Sequence, residues 1–295
     1  MEEKNSLSIS VVVPIYNEEN GVRTTAETLY NTLLNNFKNF EIVCVNDGSK
    51  DKTLEVLKGI EAPHFKILSH SANKGYGASL KYGIREAKYK TIVIIDADLT
   101  YPYQDIPDLV KYLDSYDMVV GARQKRYRNT PFIKALPKFI LDNLANVVAG
   151  KKIADINSGF RVFKKETAEK FFHLISDRFS FTTTITLSYL SSGLSIKYVP
   201  IRFDKREGKS KVNPKHGLDF ATTIVKTVMY FNPLRVFAPP AFMLMSLGFL
   251  KFVYDLLKEP YLNITDSAVF LFLAGFQILA LGLLADLIRT LSVKN

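Results

Sequence analysis

Cysteine, tryptophan and histidine are scarce in this sequence. Its 295 residues include one cysteine, no tryptophan and four histidines. The single cysteine, Cys44, lies in an apolar run and is predicted to belong to the core, and one thiol excludes an internal disulfide. The chain is therefore expected to work in a reducing, cytosolic compartment. The N-terminal stretch MEEKNSLSIS is polar and lacks the apolar segment of a secretory signal.

Acidic residues are also in deficit. Lysine and arginine total 39 against 29 aspartates and glutamates, so the formal net charge is +10. A basic chain attracts anionic partners, which here means phosphates, a membrane surface or nucleic acid. The alternative interpretation is a basic surface that serves only solubility.

Short β-branched runs alternate with amphipathic segments through the first half of the chain. The predicted strands are Ser8–Ile15, Glu41–Asn46, Lys66–Ser69, Thr91–Asp96 and Met118–Gly121. The predicted helices between them are Gly21–Phe37, Asp51–Ile60, Gly75–Lys88 and Gln104–Leu113. This alternation predicts an α/β fold with a Rossmann-like, mostly parallel sheet that helices cover on both faces. Such a sheet binds ligands at the carboxyl ends of its strands.

Two long runs near the C-terminus contain hardly any charge. Val236–Leu250 has none, and its continuation to Leu257 gives about 33 Å of helix if Lys251 snorkels or faces a polar group. Ser267–Ala285 is uncharged over 19 residues, with Gln277 as its one strong polar group. Both runs are predicted to be transmembrane helices.

The charges around these runs predict their orientation. The connection Glu259–Asp266 contains no lysine or arginine. The flanking segments carry Lys226, Arg235, Arg289 and Lys294. By the positive-inside tendency, both termini and the domain before the helices face the cytosol. Residues 213–232 are predicted to form a juxtamembrane helix that lies along the membrane interface, with docking on the domain as the alternative.

Polar residues follow the first two predicted strands. The first strand leads into Pro14, Tyr16 and Glu18, where an aromatic ring and a carboxylate can hold a nucleoside. After the second strand, Asp47 can accept hydrogen bonds from a base or ribose, and Gly48 lets the backbone approach closely. Each motif alone is equally compatible with an ordinary turn or helix cap.

The third and fourth strands are also followed by informative residues. Asn73–Ser79 is a stretch of small residues, including Gly77, that opens a helix and suits a ribose or diphosphate. After the fourth strand comes the triplet Asp96, Ala97 and Asp98. Two carboxylates at this spacing normally repel each other, but in a loop they can coordinate a divalent ion together with a diphosphate. The alternative for a D-x-D pattern is chance occurrence.

Together these motifs resemble the family 2 glycosyltransferases with the GT-A fold. The resemblance rests on Pro-Ile-Tyr-Asn-Glu, Asn-Asp-Gly-Ser and Asp-Ala-Asp, after the first, second and fourth strands. Downstream, DINSGFR at residues 155–161 and REGKSK at residues 206–211 resemble the polyprenyl-phosphate glycosyltransferase branch. Dolichol-phosphate mannose synthases and undecaprenyl-phosphate sugar transferases belong to that branch. The resemblance covers about residues 8–212, and the two C-terminal runs resemble its two-helix members.

The resemblance implies roles for individual residues. It implies nucleotide-sugar binding by Pro14, Tyr16, Glu18, Asp47, Gly77, Asp96, Ala97, Asp98, Arg206, Ser210 and Lys211. It makes Asp98 and Arg206 catalytic, and it makes Asp96 and Asp98 the ligands of Mg²⁺ or Mn²⁺. The basic loop with Arg206, Ser210 and Lys211 would close over the donor diphosphate, unless it is simply a solvated basic loop.

The same resemblance implies binding of the acceptor phosphate by Arg123, Ser158 and Arg161, with a structural ion pair as the alternative for Arg161. Two positions depart from the pattern of the branch. Asn46 stands where many relatives have an aspartate, which removes a negative charge near the base. Thr100 stands where dolichol-phosphate mannose synthases have a metal-ligating glutamine. This departure weakens the expectation that the chain uses the same sugar donor as those synthases.

The sequence thus predicts an inverting, metal-dependent transferase. Its donor would be a GDP- or UDP-sugar, and its acceptor dolichyl or undecaprenyl phosphate at the cytosolic face of the membrane. The predicted organisation is a glycosyltransferase domain at residues 1–212, the juxtamembrane helix at 213–232 and two transmembrane helices at 233–295.

Two rival functions were weighed against this prediction. A processive polysaccharide synthase has the same fold but carries a Gln-x-x-Arg-Trp motif, and this chain has no tryptophan. A non-catalytic, nucleotide-binding membrane subunit has no need to retain Asp96, Asp98 and Arg206. Nucleic acid is not an expected partner, because the basic stretch at residues 123–128 has Tyr127 as its one aromatic residue. Gly275 and Gly282 would permit close helix packing, including that of a homo-oligomer.

Overall fold

Successive strands and helices follow the alternation of apolar and amphipathic segments. The computed structural model describes residues 6–60, 62–124, 146, 150, 152–177, 180–203, 226, 229–230, 232–258 and 265–294. Its strands are β1 (Ile9–Ile15), β2 (Phe40–Asn46), β3 (Phe65–Ser69), β4 (Thr91–Ile94), β5 (Met118–Arg123), β6 (Arg161–Lys164) and β7 (Ile196–Ile201). Its helices are α1 (Val22–Asn36), α2 (Thr53–Lys58), α3 (Tyr76–Glu86), α4 (Ile106–Val110), α5 (Lys165–Glu169), α6 (Phe181–Ser191), α7 (Leu234–Lys258) and α8 (Asp266–Lys294).

The strands form one seven-stranded sheet in the order β3-β2-β1-β4-β6-β5-β7. Strands β3, β2, β1 and β4 are parallel neighbours. Strand β6 runs antiparallel to both β4 and β5, and β7 is parallel to β5. The predicted mostly parallel sheet is therefore confirmed. The order reverses at β1, so the crevice at the carboxyl ends of β1 and β4 is the expected ligand site.

Several elements differ from their predicted bounds. Strand β4 ends at Ile94 rather than Asp96, so the two aspartates of the triplet lie in a loop. The predicted helix Gln104–Leu113 is the shorter α4, preceded by a 3₁₀ turn at Tyr103–Asp105. Strands β6 and β7 were not predicted, because charged residues in β6 and both Lys197 and Pro200 in β7 interrupt their apolar pattern.

Alternate residues of the central strands supply two apolar layers. Val11 and Val13 belong to the layer that contains α1, and Val12 belongs to the layer that contains α3 and α6. Helix α3 lies so close to the sheet that a Cβ on Gly83 would meet Cγ1 of Val12 at 2.4 Å. Cys44 is buried in the first layer, as predicted, and burial raises the pKa of its thiol to about 12. Both faces of the sheet are thus covered, so the carboxyl ends of its strands, which we call the carboxyl edge of the sheet, remain accessible to ligands.

Helices α7 and α8 form an apolar hairpin. Both are long and apolar enough to cross a membrane. They pack closely, because a Cβ on Gly275 would lie 2.7 Å from the carbonyl oxygen of Ala241, and one on Gly282 would lie 2.7 Å from Cβ of Phe237. The two glycines thus serve packing within the hairpin. Large apolar side chains are exposed on its outside, among them Phe249, Leu250, Phe270 and Ile288.

One ion pair lies at the far end of this hairpin. Lys251 pairs with Asp255, one helical turn further along α7. Its ammonium group therefore faces a polar group, which is one of the two arrangements expected for a lysine in this apolar run. Asp255 is buried and also accepts a hydrogen bond from Oγ1 of Thr265, at 2.5 Å, next to the start of α8. The acidic side chain therefore joins both helices where the chain turns.

The proposed boundary between the two parts falls largely outside the described residues. Of residues 213–232, the structure describes only 226, 229, 230 and 232, so the interfacial helix stays a prediction. Helix α7 begins at Leu234, one residue after the predicted start of the last segment at residue 233.

Candidate active site

The loops after β1 and β2 are tied together by hydrogen bonds. The backbone of Asn17 has a φ of 53°, a left-handed conformation that asparagine tolerates. Its N–H donates to Oγ of Ser49 at 2.9 Å, and its Oδ1 accepts from the N–H of Lys50 at 2.8 Å. The N–H of Glu18 donates to Oγ1 of Thr53 at 2.8 Å. The polar residues that follow these strands therefore fix the shape of this edge.

The residues predicted to hold the nucleoside lie on this tied edge. Pro14, Tyr16 and Glu18 are half-buried. Asp47 is buried, and its two carboxylate oxygens accept the N–H groups of Lys74 at 2.8 Å and Gly75 at 2.9 Å. Each oxygen has a second lone pair, so Asp47 can brace the loop after β3 and still accept from a ligand.

Close backbone approach after β2 and β3 depends on small residues. Gly48 has a φ of +63°, and a Cβ there would lie 2.5 Å from the carbonyl carbon of Ala72. Gly77 is buried in the first turn of α3. Gly48 was predicted to allow the backbone to approach closely, and this is what it does. The approaching group, however, is the backbone of Ala72 in the same chain.

The D-x-D loop after β4 is held in a strained shape. Leu99 has a φ of 58°, which is unfavourable for a leucine and is of the kind that clusters at functional sites. The carbonyl of Ala97 accepts a hydrogen bond from Oγ1 of Thr25 at 2.8 Å. The hydroxyl of Thr100 donates to Oδ1 of Asp98 at 2.6 Å. Thr100 is itself buried, so this hydrogen bond fixes the orientation of the Asp98 carboxylate.

Asp96 lies between α3 and the segment before β6. Its Oδ1 accepts a hydrogen bond from the hydroxyl of Tyr76 at 2.9 Å. Burial, followed by the charge of Asp96, raises the pKa of Tyr76 well above its ordinary value, so this hydroxyl keeps its proton. A Cβ on Gly159 would lie 2.4 Å from Oδ2 of Asp96. The DINSGFR motif is therefore placed directly against the first carboxylate of the D-x-D triplet.

These two carboxylates fit a hard divalent cation. The described residues contain no group of three or more histidines, cysteines, aspartates or glutamates that could hold a metal. Asp96 and Asp98 carry the carboxylate oxygens that Mg²⁺ and Mn²⁺ prefer, and an ion held there would need further oxygen ligands from a diphosphate or water.

Arg123 lies at the end of β5 and forms a two-pronged ion pair with Asp155. Its Nε and Nη2 donate to the two oxygens of the fully buried Asp155 at 2.7 and 2.8 Å. Its guanidinium also lies over the ring of Phe203, 5.2 Å from the centroid. Burial opposes the charge of Arg123, but the bonds to Asp155 outweigh it and raise the pKa of Arg123 above its ordinary value.

Ser158 and Arg161 are both fully buried. The hydroxyl of Ser158 donates to the carbonyl of Gly121 at 2.6 Å. The guanidinium of Arg161 donates to the carbonyls of Ser158 and Ile156, both at 2.8 Å, and to Oγ1 of Thr186 at 2.7 Å. Burial lowers the pKa of Arg161. Both side chains are enclosed by protein atoms, and among the described residues Arg161 binds carbonyls and a hydroxyl rather than forming the alternative ion pair. Their expected binding of an acceptor phosphate stays a prediction.

Tyr101 connects the D-x-D loop with the DINSGFR motif. Its hydroxyl oxygen accepts the N–H of Gly159 at 2.8 Å, and its ring packs edge-on against Phe160 and Phe203. Burial raises the pKa of Tyr101 to about 12. Sequence reasoning missed both Tyr76 and Tyr101, although each stands within or directly beside a motif that it singled out.

The structure thus brings most predicted residues to one edge of the sheet. The loops after β1, β2, β3 and β4 meet there, and the Arg123–Asp155 pair joins them through Gly159 and Tyr101. Arg206, Ser210 and Lys211 lie outside the described residues, so their roles stay predictions.

A mostly parallel sheet with a D-x-D loop beside its switch point, followed by an apolar helical hairpin, defines a GT-A glycosyltransferase with a membrane-associated appendage. The chain belongs to glycosyl transferase family 2, which matches residues 10–172. Residues 232–291 match the GtrB C-terminal hairpin. The predicted enzyme class, glycosyltransferase, and the predicted GT-A fold are confirmed by these matches.

Proteins of similar sequence come from archaea and bacteria. An uncharacterized protein of Methanocaldococcus jannaschii is 35% identical over 211 residues, which cover 68% of this chain and 84% of that protein. The undecaprenyl-phosphate 4-deoxy-4-formamido-L-arabinose transferase of Edwardsiella ictaluri is 26% identical, with 95% of this chain and 88% of that protein covered. The dodecaprenyl-phosphate galacturonate synthase of Rhizobium johnstonii is also 26% identical, with coverage of 96% and 88%.

Solved structures support the fold. The glucosyl-3-phosphoglycerate synthase of Mycobacterium tuberculosis, in complex with Mn²⁺, UDP and phosphoglyceric acid, has a TM-score of 0.57 at 15% identity, with 76% of this chain and 78% of that chain covered. The mannosyl-3-phosphoglycerate synthase of Rubrobacter xylanophilus has a TM-score of 0.59 at 16% identity, with coverage of 75% and 72%. At these identities the likeness concerns the fold alone.

Proposed function

We propose that this enzyme transfers a sugar from a GDP- or UDP-sugar to a polyprenyl phosphate, dolichyl or undecaprenyl, at the cytosolic face of a membrane. The observation that carries the proposal is the direct contact between the D-x-D carboxylate Asp96 and Gly159 of the segment that also contains Asp155 and positions Arg123. A donor site and a phosphate-binding arginine are thereby adjacent. The names of the two bacterial transferases, which specify polyprenyl-phosphate acceptors, support the same substrate class.

The donor half is assigned to the tied loops. Pro14, Tyr16, Glu18, Asp47 and Gly77 would hold the nucleoside and ribose. The triplet Asp96, Ala97 and Asp98 would hold the diphosphate side together with Mg²⁺ or Mn²⁺. When bound, the ion supplies positive charge to the donor diphosphate. Thr100 and Tyr76 orient the two carboxylates toward it through the hydrogen bonds described above. Arg206, Ser210 and Lys211 would add positive charge on the opposite side.

The acceptor half is assigned to Arg123. Its guanidinium has five N–H donors, and two of them bind Asp155, so others can bind a phosphate oxygen. Ser158 and Arg161 would act indirectly, because their bonds to the backbone at residues 121, 156 and 158 shape the segment that carries Asp155. We therefore assign them as positioning residues rather than phosphate ligands.

The chemistry requires no protein base. A lipid phosphate is already deprotonated at neutral pH, with a second pKa of about 6, so its oxygen can attack directly. The new bond forms between that oxygen and the anomeric carbon, while the bond from this carbon to the donor diphosphate breaks with inversion. Arg123 would orient the attacking phosphate, and Arg206 would stabilise the departing diphosphate.

The hairpin would span the membrane with both chain termini in the cytosol. The absence of lysine and arginine from Glu259–Asp266, against the basic flanks, supports this orientation. The proposed organisation is a glycosyltransferase domain at residues 1–212, a juxtamembrane helix at 213–232 and the spanning helices at 233–295. A cysteine at Asn263 should react with an impermeant reagent in intact cells. Labelling only after lysis would show that the hairpin does not cross.

Turnover with defined substrates tests the whole proposal. Purified enzyme in detergent is given a panel of radiolabelled GDP- and UDP-sugars with undecaprenyl or dolichyl phosphate and Mg²⁺ or Mn²⁺. We expect one labelled sugar per lipid from one class of donor. A polymeric product would indicate a processive synthase. Donor binding without turnover on any lipid phosphate would indicate a non-catalytic subunit, and the proposal would be abandoned.

A further inference from the structure

The base of the membrane hairpin contacts the segment that carries Asp155. Val236, in the first turn of α7, packs against a small buried cluster formed by Ile153, Ile156, Leu187 and Leu190. The two isoleucines of this cluster stand on either side of Asp155 in the sequence. The hairpin therefore packs against a cluster that includes two residues of the short segment in which Asp155, the partner of Arg123, is found.

A second contact lies next to the first. The guanidinium of Arg235 lies against Gly150, where a Cβ would meet Nη1 at 2.4 Å. Asn146 holds this stretch of chain, because its carbonyl accepts the N–H of Gly150 at 2.9 Å and its Oδ1 accepts the N–H of Ile153 at 2.8 Å. Two consecutive residues of the hairpin thus contact this part of the domain, Arg235 at Gly150 and Val236 at the cluster with Ile153 and Ile156.

The same segment is held firmly from the side of the domain. Nη2 of Arg161 donates to the carbonyl of Ile156 at 2.8 Å, and Oγ1 of Thr183 on α6 donates to Oδ1 of Asn157 at 3.0 Å. Helix α6 also supplies Leu187 and Leu190 to the cluster that Val236 contacts. A displacement of the hairpin base would therefore be transmitted to a rigid unit that includes Asp155 rather than absorbed by a loose loop.

We propose that Val236, supported by Arg235, is a positioning residue that fixes the depth and orientation at which the acceptor segment meets the bilayer. This inference rests on the proposed function. A polyprenyl phosphate presents its headgroup at a fixed depth in the membrane, so Arg123 can engage it only if the domain sits at the matching height. An acceptor dissolved in water can approach Arg123 from any direction and does not need this alignment.

Two acceptors separate alignment from activity in the full-length enzyme. Undecaprenyl phosphate is embedded in phosphatidylglycerol vesicles that contain the enzyme, and citronellyl phosphate is supplied in solution. The donor is the most active nucleotide-sugar of the panel. The variant Val236→Ala removes the methyl groups that contact the cluster, whereas Val236→Ile keeps them. As a control, Val253→Ala makes the same substitution on the same helix, about 25 Å away. Val253 is half-buried, as is Val236, which makes the two substitutions comparable.

We expect Val236→Ala to raise KM for the embedded acceptor about fivefold, while KM for the donor and for citronellyl phosphate stays within about twofold. Val236→Ile and Val253→Ala should both behave as the unaltered enzyme. An equal rise for both acceptors, or no rise for the embedded one, would overturn the inference and leave the proposed function standing. Absence of transfer to either acceptor by the unaltered enzyme would overturn the proposed function and the inference together.

Discussion

The proposed donor and acceptor halves of the site are stabilised by different kinds of interaction. The donor half consists of loops that follow parallel strands, and hydrogen bonds between neighbouring loops, such as Asn17 to Ser49, hold them. The acceptor half surrounds an antiparallel strand, and buried charges, Asp155 and Arg161, hold it from inside. Substitutions on the donor side should therefore affect the rate with little effect on the fold, whereas acceptor-side substitutions should affect acceptor binding and stability together.

The strongest test of the donor half is Asp98→Asn. The change keeps the shape of the side chain and removes a negative charge from the proposed metal site, so turnover should fall by about 100-fold or more while the thermal midpoint is unchanged. Chelation of divalent ions should have the same effect on the unaltered enzyme. Asp108→Asn, at an exposed carboxylate paired with Lys111, serves as control and should change neither quantity. Full activity in chelator would contradict the metal assignment.

The matching test of the acceptor half is Arg123→Lys. The variant keeps the charge but loses the fork that binds both oxygens of Asp155, so KM for the lipid phosphate should rise about 30-fold with KM for the donor unchanged. Some loss of thermal stability should accompany it. Arg85→Lys, at an exposed arginine on α3, is the control. If KM for the donor rose instead, the two halves would not be separable as we propose.

The orientation of Asp96, the donor-side carboxylate that lies against Gly159, is tested by Tyr76→Phe. Loss of the hydrogen bond to Asp96 should lower turnover about tenfold and raise the Mg²⁺ concentration needed for half-maximal activity, because the carboxylate is no longer oriented. Tyr82→Phe, on the same helix, should have no such effect. A normal Mg²⁺ requirement in Tyr76→Phe would mean that this hydroxyl only supports packing.

The smallest expected effect is that of pH. The acceptor phosphate is a dianion above about pH 6, and no protein base is invoked, so the rate should be nearly flat from about pH 7 to 9. Burial raises the pKa of Tyr101 to about 12. Its neutral form therefore contributes stability that is complete below the unfolded pKa of about 10 and is lost as pH rises from about 10 to 12. A rate that follows a single ionisation near pH 7, in variants with intact binding, would indicate a general base and contradict this mechanism.

The same contrast explains what the sequence could predict. Strands β1, β2 and β4 are short apolar runs that end in polar residues, so both the strands and their ligand-binding loops are visible in one stretch of sequence. Strand β6 begins with Arg161, whose charge argues against a buried strand unless the backbone carbonyls that accept its hydrogen bonds are known. The burial of Arg161 and Ser158 depends on distant elements, α6 and β5, that no local pattern specifies.

Tyr76 and Tyr101 illustrate a second limit. Both stand in or beside recognised motifs, yet their roles depend on the direction of a side chain toward a residue of another strand. The position of Gly159 against Asp96 is equally non-local, since the two residues are 63 positions apart in the chain. The motifs that follow β1, β2, β3 and β4 can be assigned from the sequence to the carboxyl ends of the strands, but their mutual contacts depend on the fold.

The ion pair at the far end of the hairpin has a consequence for how this protein is made. Lys251 and Asp255 are one turn apart on α7, so their charges can neutralise each other as soon as that turn forms. A helix that enters the bilayer with its charges already paired escapes most of the penalty of translocating a bare cation. Because Thr265, the residue before α8, completes the arrangement, we expect α7 and α8 to insert as one unit during synthesis, and Asp255→Ala to leave α7 poorly inserted in a glycosylation-mapping assay.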